Sequence, residues 1–247
     1  MLQAFDMLQR GYTAIVSELR PPVPSSVEAC DFLAAHTIWF GSGALKLATQ
    51  GIIPPAVALT RTCIEAAACS RYLFSCAATE RDRKAGEFLE FRVVCRAEYA
   101  ERYHTGNDPR IVAVRNGLDS DHRAKLGQIA KAHPGESWQK RFSELKMAWN
   151  FDALVKAEAM QKPLPGFSLQ GFDRLVVNEY DCYSYFVHPN PVVTVFAPQI
   201  RPDRICQNVL LSAINTVGVL LQVSGKNNED FVKAGEAFIK KYEKIQQ

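Results

Sequence analysis

The chain has 247 residues, 47% of them hydrophobic and 22% charged, with a net charge of +3. These are the proportions of an ordinary globular protein, long enough for one sizeable core. They argue against a disordered or strongly basic chain, and no block of five or six like charges marks a nucleic-acid-binding tail.

Nearly every long segment has the period of an amphipathic helix. Residues 2–19 predict a helix that stops before Pro21 and Pro22. Ser25, Ser26 and Glu28 predict a capped start for a helix reaching about Gln50. Pro54 and Pro55 fit the first turn of the next helix, which runs to about Ala77 and is rich in Ala, Cys, Leu and Ile. Thr79 and Glu80 open a charged helix to about His104, followed by a turn at Gly106–Pro109. Residues 110–132 predict a more polar helix, ended by Pro134 and Gly135, and residues 136–160 predict another. A loop follows at residues 162–166, then a helix from Gln170 to His188. Val192–Phe196 is the one strand-like run. Residues 203–223 and 228–245 predict the last two helices, the first apolar on most sides. The expected fold is therefore all-α: a single-domain bundle of eight or nine helices over residues 1–247, with residues 1–24 read as a peripheral helix and linker.

Seven cysteines occur, none in a CxxC pair, and most have apolar neighbours. They read as reduced core residues of a cytoplasmic protein, and no metal or cofactor is expected. The N-terminus lacks a signal-peptide pattern, and no run of 18 apolar residues predicts a membrane span.

Two helices carry polar groups where their neighbours are apolar. Tyr180, Ser184 and His188 are spaced four apart, hence on one helical stripe that ends at Pro189. Arg61 and Glu65 share a face of the apolar central helix, with Arg71 ten residues on and near the same face. Each set supplies what the other lacks. Glu65 can accept from the Tyr180 or Ser184 hydroxyl, and Arg61 can donate to a hydroxyl oxygen. The two sets are expected to meet in space. Such a cluster either fixes helix register or lines a cleft. In the cleft reading Arg61, Arg71 and Tyr180 bind a small anionic or phosphorylated ligand, and Glu65, Ser184 and His188 do its chemistry.

These residues resemble a bacterial all-helical family of uncharacterised function. Its members share an Arg-x-x-x-Glu helix early and a Tyr-x-x-x-(Tyr/Leu)-Ser-x-x-x-His helix late. The resemblance covers roughly residues 30–195, rests on Arg61, Glu65, Tyr180, Ser184 and His188, and implies a helical fold with a shared polar constellation. A second stretch, Arg115 and Asn116 followed by His122, resembles the Arg-x(4–6)-His signature of HEPN domains. That resemblance implies a metal-independent ribonuclease, with Arg115 and His122 catalytic in a dimer and a defence or toxin role. The competing reading is a solvated polar turn. A third possibility is a non-enzymatic interaction module whose polar clusters are structural. The expected partners are a small anionic ligand or RNA, with no membrane and a homo-oligomeric state.

Overall fold

The computed structural model describes residues 2–103, 123–157, 160, 180–184, 200–226, 231, 233 and 235. Of these, 86% are helical and none lies in a strand, so the fold is all-α. Eight helices are defined: α1 (Leu2–Ser17), α2 (Ser25–Thr49), α3 (Ile53–Ser75), α4 (Ala78–Tyr103), α5 (Trp138–Ala148), α6 (Phe151–Lys156), α7 (Tyr180–Ser184) and α8 (Pro202–Ser224). Residues 123–132 are also helical. The strand-like run Val192–Phe196 and the loop at 162–166 lie outside the described residues.

The centre of the bundle is α2, α3 and α8, which pack on one another more extensively than any other elements. Gly51, at a φ of +75°, turns the chain between α2 and α3. The two helices then run antiparallel. Leu59 faces Gly43, and the Cys63 thiol donates to the Thr37 carbonyl at 3.7 Å. α8 is long and apolar enough to cross a membrane by length and composition, but 83% of that window is buried inside the fold. It crosses α2 at Gly41, where an added Cβ would stand 2.8 Å from Val209 and 3.1 Å from the Phe5 ring. Bare backbone is what lets α1, α2 and α8 meet there.

Two boundaries differ from the sequence reading. No side chain of α2's own first turn caps it; Pro24 precedes it without a cap. The Ser26 N–H is instead met by Asp82 of α4 at 2.9 Å, so a distant carboxylate takes the place expected of Ser25, Ser26 and Glu28. Residues 136–160 are not one helix. Asn150 divides them into α5 and α6 by serving both ends. Its amide donates to the Met147 carbonyl and its oxygen accepts from the Ala153 N–H, each at 2.8 Å. The break at Pro134 and Gly135 is a type II turn. Gly135 has φ +83°, and the Glu136 N–H donates to the His133 carbonyl at 3.1 Å.

α4 and α5 are tied by charge as well as by packing. Arg141 donates through Nε and Nη2 to Glu90 Oε2 at 3.2 and 2.7 Å, and His133 Nε2 lies 2.9 Å from Glu90 Oε1.

Candidate functional site

α3 is apolar because it is central: it packs on both α2 and α8, and most of its Ala, Cys and Ile residues are buried. Arg61 and Glu65 sit on the side that α6 and α7 cover. The Tyr180 hydroxyl lies between them. It accepts from Arg61 Nη2 at 2.9 Å and donates to Glu65 Oε1 at 2.8 Å. Arg61 Nη2 and Glu65 Oε1 are themselves 3.2 Å apart, which closes a triangle of guanidinium, carboxylate and phenol. The two polar sets, 115 to 119 residues apart in sequence, therefore meet.

The Tyr180 ring is held by two further contacts. Phe151, the first residue of α6, stacks on it at 3.5 Å between centroids and 15° between planes. The Arg61 guanidinium lies 4.9 Å from the ring centroid. Sequence reasoning missed Phe151. The available signal was Asn150 before it, a capping residue that starts a new helix and aims its first side chain. It also missed Tyr183, which is fully buried and accepts from the Asn208 amide of α8 at 2.7 Å, anchoring α7 from the other side.

Burial pushes the Tyr180 phenol up to about 12. The Arg61 hydrogen bond opposes this and Glu65 reinforces it. Tyr180 is therefore a proton donor at neutral pH and not a base. Among the described residues Arg61 engages the cluster through Nη2 alone, and its buried Nε–H has no hydrogen-bond partner. Glu65 has 41% of its side chain exposed and Arg61 17%. The triangle thus has a wet edge at the carboxylate and an unsatisfied donor behind it.

Ser184 does not enter the triangle. Its hydroxyl donates to the Tyr180 carbonyl one turn back, at 2.8 Å. Arg71 is buried at 1% exposure in the second half of α3. At 100° per residue it is Tyr72, eleven residues past Arg61, that returns to the Arg61–Glu65 stripe, while Arg71 turns inward. Tyr72 packs edge-on against Trp149 at 5.5 Å. His188, Arg115 and His122 lie outside the described residues.

Fold and cluster together define the class: an all-helical bundle with a polar, partly open junction between α3, α6 and α7. No protein-family model, no curated protein and no solved structure matches the chain.

Proposed function

We propose that the Arg61–Glu65–Tyr180 junction binds, or binds and processes, a small anionic or phosphorylated ligand, with Ser184 and His188 as further candidates for its chemistry. The observation that carries this reading is the Arg61 Nε–H, buried beside a partly exposed carboxylate and without a hydrogen-bond partner among the described residues. An unmet donor on a guanidinium is costly in a purely structural network. A ligand oxyanion at Nε would remove that cost. Arg61 and Glu65 cancel in charge, so a bare anion gains little from the cluster. A ligand that also carries a hydroxyl gains more, because Glu65 can accept from it. Phosphorylated polyols have both groups. The resemblance to the helical family with Arg-x-x-x-Glu and Tyr-x-x-x-Ser-x-x-x-His helices belongs to this proposal, since Arg61, Glu65, Tyr180, Ser184 and His188 are its shared positions.

The test is a thermal-shift series with inorganic phosphate, sugar phosphates and matched uncharged sugars. Binding to the folded state raises the melting temperature as ligand exceeds its dissociation constant. The expected result is a shift with a phosphorylated compound that Arg61→Ala abolishes. No shift across the panel, or an equal shift in Arg61→Ala, counts against the site.

The ribonuclease reading rests on Arg115 and His122, and no observation among the described residues favours it. It would replace the present reading if the protein cleaved total RNA and both Arg115→Ala and His122→Ala abolished the cleavage.

A further inference from the structure

A second surface, on α2 and α4, has a different chemistry. Phe32, His36 and Phe40 follow one another along α2 at spacings of four, with ring centroids 5.5 and 4.4 Å apart. Trp39 lies 6.1 Å from Phe40 and is 79% exposed. Trp39 is the most exposed large hydrophobic side chain among the described residues. α4 runs beside this row in a regular register. Asp82 meets Ser26, Phe88 meets Phe32 at 6.2 Å, and the Arg92 guanidinium lies 3.3 Å from the Phe32 ring centroid. One turn further along α4, the same register brings Arg96 level with the turn of α2 that carries Phe40. Arg92 and Arg96 each forms no ion pair among the described residues. Glu28 acts on Arg92 only at longer range, and Arg96 repels it. His36 feels the Arg92 charge as well.

We propose that this α2–α4 face binds single-stranded nucleic acid, with bases stacked on Trp39 and Phe40 and phosphates held by Arg92 and Arg96. The face combines the two things such a strand needs: an exposed indole plane at Trp39 beside the half-buried Phe40, and guanidinium groups with no ion pair among the described residues. The sequence shows no basic block because the arginines lie four apart on α4 and the aromatics come from α2. The fold alone assembles the patch. A second copy of the chain fits the face poorly, since symmetric docking would set the Arg92 and Arg96 cations of each copy near those of the other. An acidic peptide would answer the cations and leave the indole plane unused.

Fluorescence anisotropy with labelled ten-nucleotide RNA and DNA single strands tests this. A duplex of the same sequence and heparin serve as controls. Wild type should bind the single strands in preference to the duplex and to heparin. Two phosphate contacts should give log K against log salt a slope of about −1.4. Trp39→Ala, at an exposed position, should keep the wild-type melting temperature and weaken binding about tenfold or more. The double variant Arg92→Ala/Arg96→Ala should flatten the salt slope. The proposal is overturned by no binding at about 100 µM strand, or by duplex and heparin binding as tightly with Trp39→Ala unchanged. It is equally overturned by an acidic peptide binding in preference to the strands, or by a dimer in sedimentation that Trp39→Ala dissolves.

Discussion

The Tyr180 hydroxyl donates to Glu65 at 2.8 Å across 115 residues of sequence, and the same oxygen accepts from Arg61 at 2.9 Å. One phenol therefore joins α7 to both charged residues of α3. The hydroxyl and the ring of that phenol contribute separately to the junction's stability, and substitutions separate them.

Tyr180→Phe keeps the stack on Phe151 and leaves Arg61 and Glu65 paired. It removes two hydrogen bonds to charged partners at a partly exposed site and should cost about 2 kcal/mol. Tyr180→Ala also loses the stack and leaves a cavity, and should cost about 3 kcal/mol or more. Urea denaturation of the two variants measures both. Equal losses would mean that the ring contributes nothing.

The fold was legible in the sequence because helices leave a periodic signal that the breakers punctuate. Pro21–Pro22, Pro54–Pro55 and Pro134–Gly135 each fall at an observed boundary. The end of α5 was not legible. Asn150 is a weak local signal, and its two hydrogen bonds become visible only when both flanking helices exist. The meeting of Arg61, Glu65 and Tyr180 could be argued from unsatisfied polar groups, which must find partners wherever the core is apolar. Phe151 and Asn208 could not be found that way. An aromatic ring carries no such debt, and Asn208 sits on a helix whose hydropathy conceals it.

Alkaline pH should weaken the junction. The folded phenol of Tyr180 is pushed up to about 12, from about 10 in an unfolded chain. The folded state holds this proton more tightly, so the contribution is fully present below pH 10 and is lost as pH rises from there toward 12. Burial also raises the thiols of Cys30, Cys63 and Cys69 and moves stability in the same direction. The informative comparison is therefore wild type against Tyr180→Phe. Between about pH 9 and 11.5 the urea midpoint should fall further in wild type. Parallel curves would show that Tyr180 titrates normally.

Gly41→Ala should destabilise the bundle by about 1–3 kcal/mol, the usual cost of overpacking. The new Cβ would meet Val209 at 2.8 Å, which outweighs the gain in helix propensity of about 1 kcal/mol. Adding Val209→Ala should recover part of the loss. A stabilised Gly41→Ala in thermal melts would contradict the close approach of α2 and α8.

Arg141→Ala should cost about 1–3 kcal/mol, because it leaves the largely buried Glu90 with only His133. Replacing both members, as Arg141→Met with Glu90→Met, should cost less than Arg141→Ala alone, since no charge is then left unpaired. Chemical denaturation of the three variants decides the matter, and a double variant worse than the single would refute it.

Glu65→Gln separates a ligand site from a structural one. Glu65 is 41% exposed, so removing its charge should move stability by no more than about 0.5 kcal/mol while ligand binding is lost. A clear drop in melting temperature would identify the triangle as a structural clasp.

Native mass spectrometry of the protein purified from its own cells tests the ligand site most directly. The expected result is a wild-type peak carrying the extra mass of a small phosphorylated molecule, with that mass missing from Arg61→Ala and Glu65→Gln proteins that remain folded. Wild type at its bare mass, or a bound molecule retained by both variants, would contradict the assignment of Arg61, Glu65 and Tyr180 as a ligand site.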